Sequence, residues 1–172
     1  MDPIVVKFGG SSLATAAQIR KAAAIITADP DRRYAVASAP GKRGDGDTKV
    51  TDLLHRCYDL AAAGGDFSEP LGQIRERFAD IIRELEVAFD LDREIAVLEE
   101  HLSSAPDRDY MASRGEYLNA RIIAAYLGFD FVDPAETIFF RPDGGLDENR
   151  TFAALGARLE SLDHAVIPAF TG

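Results

Sequence analysis

The sequence predicts an α/β fold with three layers, in which helices cover both faces of a mostly parallel sheet. Two observations lead to this prediction. Short apolar runs of strand length alternate along the chain with longer segments in which apolar residues recur every three or four positions. Most of the strand-like runs are separated by a predicted helix, and helical crossovers join parallel strands.

The first half of the chain alternates strands and helices. The predicted elements are a strand at residues 4–8, a helix from Thr15 to about Ala28, a strand at residues 34–38 and a helix from about Lys49 to Ala63. Asp29-Pro30 ends the first helix, because proline cannot continue the hydrogen-bond ladder. Thr48 is expected to cap the second helix. A polar, glycine-rich loop at residues 39–47 precedes that helix.

The second half begins with a helical segment at about residues 67–127, which we expect to be an insertion or cap packed beside the sheet. Its helices are predicted from Ser68, as the N-cap, to about Leu85, from about Asp92 to Leu102, and from about Asp109 to Leu127, with Gly128 as the stop. The remaining predicted elements are strands at residues 129–133 and 137–140, a turn at residues 143–145, a helix at residues 149–162 and a strand at residues 164–168. That strand runs into the last residues of the sequence, so we expect this fold to be one part of a larger one.

Composition narrows the class of protein. The chain has 172 residues, 47% of them hydrophobic, which suits one domain with a proper core. Its net charge of −10 disfavours nucleic acid and anionic membrane surfaces as partners. Cys57 is the single cysteine and cannot form an internal disulfide, so we expect it to pack as a small apolar residue. With neither a signal-peptide pattern nor a membrane-length apolar run, we expect a cytoplasmic protein.

The stretch from Lys7 to Ser12 has the features of an anion site. It follows an apolar strand, opens a turn with Gly9 and Gly10, and leads into a helix. Glycine leaves the backbone N–H groups accessible to a phosphate, the helix N-terminus adds partial positive charge, and Lys7 adds a full one. The alternative is an ordinary tight turn with a solvated lysine.

Three loops follow predicted strands and should meet at one edge of a parallel sheet. They are residues 9–12, residues 39–47 and residues 169–172, and they contain the Gly, Ser, Thr and Lys residues that suit phosphate or carboxylate binding. No nucleophile–base pair is evident. The three histidines are far apart in sequence and lack metal-ligand spacing, so we expect structural roles for them and predict no metal site on the protein.

The helical stretch at residues 111–117 contains an unusual glycine. Gly115 costs a helix interior about 1 kcal/mol relative to alanine, so we expect a close approach by another element there. Beside it, Glu116 is suited to hold a cationic group and Arg114 an anionic one. The alternative is a solvated, ion-pairing helix face.

Taken together, these motifs resemble those of the aspartate kinase family, within the amino-acid-kinase fold. Residues 7–12 resemble the opening Lys-Phe-Gly-Gly-Thr/Ser-Ser motif. Residues 36–41 followed by residues 49–54 resemble the second substrate segment with a lengthened loop, and residues 113–116 resemble the Ser-x-Gly-Glu helix motif. Residues 129–140 and 166–172 resemble the later strands, so the similarity covers nearly the whole chain.

The resemblance implies transfer of a phosphoryl group from Mg²⁺-bound ATP to the side-chain carboxylate of L-aspartate, in the biosynthesis of lysine, threonine and methionine. By analogy, Lys7 would stabilise the transferring group. The phosphate oxygens would be held by Lys7 and by the backbone of Phe8, Gly9, Gly10 and Ser11. The substrate would be bound by Ser38, Thr51, Arg114 and Glu116, with Glu116 paired to its α-ammonium group.

The resemblance also implies what this sequence does not contain. Residues 1–172 would form the N-terminal lobe that binds the amino acid, without the nucleotide-binding lobe and the ACT regulatory domains. The segment alone would then be inactive, and the complete protein would be a dimer. Two alternatives stay open: a non-catalytic amino-acid-binding or assembly module, and a related kinase that acts on glutamate, acetylglutamate or carbamate.

Overall fold

A computed structural model describes residues 2–169 of the chain. The strands are β1 (Val5–Phe8), β2 (Tyr34–Ala37), β3 (Asp130–Phe131) and β4 (Ala165–Pro168). The helices are α1 (Ala16–Thr27), α2 (Val50–Ala62), α3 (Ser68–Leu85), α4 (Leu91–Ser104), α5 (Arg108–Leu127), α6 (Pro134–Thr137) and α7 (Glu148–Glu160), with a 3-10 helix at Gly10–Leu13.

The described strands form one parallel sheet in the order β1-β2-β4-β3. In the register, Val5 lies opposite Tyr34, and Tyr34 lies opposite Ala165. Strands β2 and β4 therefore have partners on both sides, and their carboxyl ends lie at the same edge as that of β1. The predicted α/β class with a parallel sheet is confirmed.

Helices cover the two faces of the sheet unequally. On one face, a large core joins buried residues of α1 to α5 with Ala35, Ala37 and Val166 of the inner strands. On the other face, α7 packs over a smaller cluster that includes Tyr34 and Ala165. The helical segment at residues 67–127 lies beside the sheet as expected, and its last helix, α5, packs directly on β2, β3 and β4.

Local signals fix several helix ends. The Thr15 side chain accepts a hydrogen bond from the Gln18 backbone N–H and caps α1. Gly128 ends α5 in the left-handed region, with φ of 69°, as the sequence predicts. Cys57 is fully buried in α2, and burial raises the pKa of its thiol to about 12, which agrees with an apolar packing role.

Three local predictions are wrong. The strand at residues 137–140 is absent, because Asp133 caps the short helix α6 with Pro134 in its first turn, and Phe140 makes an isolated antiparallel bridge to Leu146. Thr48 does not cap α2, whose N-cap position is Lys49. Ser68 is the first residue of α3 rather than its N-cap, and its backbone N–H donates to the Asp66 carboxylate.

Within residues 2–169, no helix is both long enough and apolar enough to span a lipid bilayer.

Candidate functional site

The loops that follow β1 and β2 are in direct backbone contact. The Gly41 N–H donates to the Gly10 carbonyl oxygen at 2.8 Å. A Cβ atom on Gly10 would lie 2.9 Å from the Ala39 carbonyl oxygen, and one on Gly41 would lie 2.6 Å from the Gly10 carbonyl carbon. A side chain at either position would collide with the other loop, so the contact between the two loops requires glycine at both positions. Gly9 differs, because a Cβ there would meet no atom within 4 Å.

A cavity of about 440 Å³ opens between these loops and the first turn of α2, with α5 behind it. The residues that line it are Gly10, Ser11, Ser38, Ala39, Pro40, Gly41, Lys42, Lys49, Thr51 and Glu116. Five of the residues singled out from the sequence, Gly10, Ser11, Ser38, Thr51 and Glu116, are thus brought together in one place although more than 100 positions separate the first from the last.

Glu116 forms the acidic wall of the cavity. Its side chain comes from α5 and is only 6% exposed, and its Oε2 atom has no hydrogen-bond partner in the described structure. Burial raises the pKa of the Glu116 carboxyl, and backbone N–H groups of Glu116 and Ala39 counteract part of that shift. A buried carboxylate with one unpartnered oxygen at a cavity wall is suited to receive a cationic group from a ligand.

A second wall of the cavity is electropositive. Helix α2 begins at Val50, and its N-cap residue, Lys49, makes no side-chain capping bond. The first backbone N–H groups of a helix have no intrahelical partners and carry partial positive charge, so this end favours an anion. Lys42 and Lys49 also line the cavity and add full charges.

From the sequence, Lys42 counts only as part of the loop at residues 39–47, and neither Lys42 nor Lys49 is assigned a binding role of its own. The signal that could have found them is their position in the chain. Both lie in the connection between a strand end and the following helix, which is where ligands bind in open α/β sheets.

A buried asparagine holds the backbone of Ser38, which lines the cavity. Asn119 of α5 has no exposed surface, and its Nδ2 donates to the Ser38 carbonyl oxygen at 2.8 Å. The Ser38 N–H in turn donates to the Phe8 carbonyl oxygen at 3.2 Å. The Ser38 backbone is therefore held from two sides. No local pattern marks Asn119, because its partner lies 81 residues away.

The close approach expected at Gly115 is confirmed. A Cβ atom there would lie 2.9 Å from the Ala39 Cβ, 3.2 Å from the Leu54 Cδ1 and 3.4 Å from the Val50 Cγ1. The missing side chain lets α5 lie against both α2 and the loop after β2. This contact places Glu116, one residue later, at the cavity.

The other predicted site residues lie outside this cavity lining. Lys7 is exposed in β1, opposite Val36 of β2, at the strand end that leads to Gly9 and Gly10. The Arg114 guanidinium carbon lies 4.4 Å and 4.3 Å from the ring centroids of Tyr110 and Tyr117, in a neighbouring cavity of about 550 Å³. The binding roles of Lys7, Phe8, Gly9 and Arg114 stay predictions.

The third predicted loop falls mostly outside the described residues. The Ala169 N–H donates to the Ala37 carbonyl oxygen at 2.8 Å, which places the end of β4 beside the end of β2. Residues 170–172 of that loop lie outside the described part of the chain.

The described residues, 2–169, contain no group of three or more His, Cys, Asp or Glu side chains that could hold a metal ion. The His101 ring packs 4.0 Å from that of Tyr110, and the His164 ring stacks 4.6 Å from that of Phe129. These two histidines therefore take part in aromatic packing.

Comparison with known proteins gives consistent matches. The model of the amino acid kinase family matches residues 2–172. Aspartokinase 3 of Bacillus subtilis is 40% identical over 147 residues, which are 79% of this chain and 32% of that protein. The chloroplastic aspartokinase 2 of Arabidopsis thaliana is 30% identical over 139 residues, or 72% of this chain and 24% of that protein. The chain thus spans about a third or less of the length of these relatives.

Solved structures give the same result. The aspartate kinase of Clostridium acetobutylicum superposes with a TM-score of 0.94 and 39% identity, over 98% of this chain and 39% of that one. Aspartokinase III of E. coli, in complex with aspartate and ADP, superposes with a TM-score of 0.74 and 22% identity, over 96% of this chain and 40% of that one. At 22% identity, the similarity to the E. coli protein shows a shared fold.

Proposed function

This chain belongs to the amino acid kinase family, and on that premise we propose that it forms the amino-acid-binding part of an aspartate kinase. The complete protein would transfer the γ-phosphoryl group of ATP to the side-chain carboxylate of L-aspartate. The products would be 4-phospho-L-aspartate and ADP, at the first step toward lysine, threonine and methionine. The E. coli protein that shares this fold binds aspartate and ADP, which is consistent with these substrates.

The observation that carries the proposal is that one cavity has both an acidic wall and an electropositive wall. Glu116 offers a buried carboxylate whose Oε2 has no hydrogen-bond partner in the described structure. The start of α2, with Lys49 and Thr51, offers hydrogen-bond donors and positive charge. An α-amino acid with an acidic side chain carries one ammonium and two carboxylate groups. It can satisfy both walls at once, whereas a purely anionic ligand would leave Glu116 unpaired.

The proposed reaction explains why this site needs no activated serine or cysteine. The nucleophile is the side-chain carboxylate of the substrate, so a carboxylate oxygen forms the new bond to phosphorus as the bond to the ADP oxygen breaks. The protein contributes alignment and neutralisation of charge. Ser38 and Thr51 would orient the substrate, Glu116 would fix its amino end, and Lys7 would stabilise the negative charge on the transferring group.

The turn after β1 fits a role in phosphate binding at one of its two glycines. The space beside Gly9 is open, so its backbone is accessible to a phosphate, whereas Gly10 is in contact with Gly41 and Ala39. When bound, Mg²⁺-ATP would supply the transferable group, and the metal would be held through the nucleotide phosphates. We place the nucleotide-binding lobe and ACT regulatory domains in other parts of a dimeric, cytoplasmic protein.

The buried carboxylate of Glu116 favours aspartate over acetylated substrates. An acetylated amine carries no positive charge, so it would leave the buried Glu116 carboxylate without a cation, which is costly. The geometry therefore favours a free α-amino acid over acetylglutamate. A non-catalytic binding module would share this preference and would differ only in lacking turnover in the complete protein.

The test is a titration of the chain, followed by NMR, with L-aspartate and with N-acetyl-L-aspartate. We expect L-aspartate to shift the amide signals of Gly41, Thr51 and Glu116 in a saturable way. We expect N-acetyl-L-aspartate to bind at least tenfold more weakly, a difference of about 1.4 kcal/mol. Equal affinity for the two ligands, or no saturable shift with either, would contradict the proposal.

A further inference from the structure

An arginine from outside the cavity holds both ends of the loop that borders it. Arg77 lies on α3 and is only 3% exposed. Its Nη1 lies 2.6 Å from the Oδ2 of Asp47, and its Nη2 donates to the carbonyl oxygen of Gly41. We call residues 41–47 the substrate loop. One buried guanidinium thus contacts the first and the last residue of this loop.

A second arginine completes the network from within the loop. The Arg43 Nη2 lies 3.1 Å from the Oδ1 of Asp47, and the Arg43 backbone N–H donates to Oδ2 at 2.8 Å. Hydrogen bonds from Arg43, and then those from Arg77, hold the pKa of Asp47 well below its usual range. The Asp80 carboxylate faces the network from α3, 4.0 Å from Arg43. The Asp47 carboxylate is therefore charged at neutral pH and bonded on both oxygens.

The position of Arg77 in α3 is unusual for a charged residue. The helix buries an apolar face that includes Ile74, Phe78 and Ile81, and Arg77 lies among them. Burial of a guanidinium costs free energy, and burial here lowers the pKa of Arg77. An apolar side chain at this position would avoid that cost, but it could not bond to the substrate loop.

The loop ends that Arg77 holds belong to the cavity. Gly41 and Lys42 line it, and the Gly41 N–H bonds to Gly10 across the two loops. A displacement of Gly41 would therefore move Lys42 and would break the contact with the turn after β1. Seven residues rich in glycine would otherwise be free to adopt many conformations.

We propose that Arg77 is a positioning residue that fixes the substrate loop, so that Gly41 and Lys42 meet the anionic end of the ligand. This inference rests on the proposed function for the identity of the ligand. The anchoring of the loop itself is independent of any ligand.

The first test uses trypsin, which cleaves after Lys42 and Arg43 in the substrate loop. Arg77→Met removes both contacts and keeps an unbranched side chain. Arg75→Met is the matched control, because Arg75 lies on the same helix and pairs with Asp92 of α4 at 2.6 Å, away from the loop. Under native conditions, with fragments identified by mass spectrometry, we expect cleavage after residue 42 or 43 to be at least tenfold faster in R77M and within twofold of wild type in R75M.

The second test measures the affinity for L-aspartate by the shift of the Thr51 amide. We expect R77M to bind at least tenfold more weakly than wild type and R75M to bind equally well. Arg77→Lys keeps the charge near Asp47 without the forked geometry, so it should restore part of the affinity. A circular dichroism spectrum and a urea unfolding midpoint establish that each variant is folded.

Should R77M fail to fold, Asp47→Asn tests the same contact from the side of the loop and should give the same two changes. Folded variants with wild-type cleavage rates and wild-type affinity would overturn the proposal. Faster cleavage with unchanged affinity would show that Arg77 holds the loop without acting on the ligand, and would also overturn it. If wild type itself does not bind aspartate, the proposed function fails, and the trypsin rates still decide whether Arg77 holds the loop.

Discussion

The burial of Glu116 predicts that its charged form destabilises the folded chain when no ligand is bound. Its carboxylate is buried, and one of its oxygens has no partner in the described structure. Because its pKa is raised in the folded state, the folded chain pays a cost for the charged form at every pH above that raised pKa. The cost disappears at a pH low enough to protonate Glu116 in both the folded and the unfolded chain. A ligand ammonium group would offset the same cost at neutral pH.

Glu116→Gln should therefore separate stability from binding. At pH 7, we expect the variant to be as stable as wild type or more stable in urea, and to bind L-aspartate at least tenfold more weakly. In wild type, affinity should decline as the pH falls through the raised pKa, above the usual pKa of about 4.3 for glutamate. The affinity of the variant should not change in that range.

Glu100→Gln, on the exposed face of α4, is the control and should match wild type in both measurements. A wild-type affinity that is constant down to pH 4 would show that Glu116 does not bind the ammonium group.

At the scale of elements, the contact of α5 with α2 sets the position of the acidic wall. Gly115→Ala gains about 1 kcal/mol of helix propensity. The new methyl group would lie 2.9 Å from the Ala39 Cβ. That Cβ is attached directly to the backbone of the loop after β2, so it can move away only if the loop itself moves. Overpacking of this kind costs about 1–3 kcal/mol, so we expect a net loss of roughly 1 kcal/mol in the free energy of unfolding.

The matched control for this contact is Gly72→Ala. Gly72 lies on an exposed face of α3, and a Cβ there would meet no atom within 4 Å. We expect this variant to gain about 0.5–1 kcal/mol, from helix propensity and reduced freedom of the unfolded chain. Urea unfolding of the two variants and wild type measures both effects. Stabilisation of equal size in both variants would mean that the close approach at Gly115 has no energetic consequence.

The sequence predicted those elements whose signals are local. The start of the first helix at about Thr15 and the stop at Gly128 need only a few neighbouring residues, and the glycine inside α5 indicated a close contact by itself. The run Thr137-Ile-Phe-Phe has strand-like composition, but the Asp133-Pro134 pair before it starts a helix. Asp before Pro is a helix-start signal, and it predicts a helix rather than a strand for these residues.

Residues that act over a long sequence separation could not be predicted. Arg77 bonds to a loop about 30 residues earlier, and Asn119 bonds to Ser38 from 81 residues away. In the sequence, each looks like an ordinary polar residue of a helix. The structure alone shows that both are buried and that both hold the backbone around the cavity. Glu116 was singled out because it lies beside the unusual Gly115 and is suited to hold a cationic group, and the family resemblance then supplied the α-ammonium group as its partner.

At the scale of the whole molecule, the strands of the sheet differ in how well they are shielded from solvent. Strands β2 and β4 have partners on both sides and are mostly buried, whereas β1 and β3 have one partner each in the described structure. Helix α7 packs over Tyr34 and Ala165 on its face of the sheet. Val5 of β1 lies on that face and is 61% exposed. The site is therefore built at the end of one well-protected strand, β2, and one less protected strand, β1.

Hydrogen exchange measured by mass spectrometry should show this gradient directly. We expect peptides that cover β2 and β4 to exchange most slowly, and those that cover β1 to exchange at least tenfold faster, because strands with two partners open only in larger unfolding events. The measurement should be made at two protein concentrations. Protection of β1 equal to that of β2 at both concentrations would contradict the uneven sheet. Protection that appears only at the higher concentration would show that a second copy covers this edge. Added L-aspartate should slow exchange at the substrate loop and at the start of α2, while β4 should not change, since none of the ligand contacts we propose lies on β4.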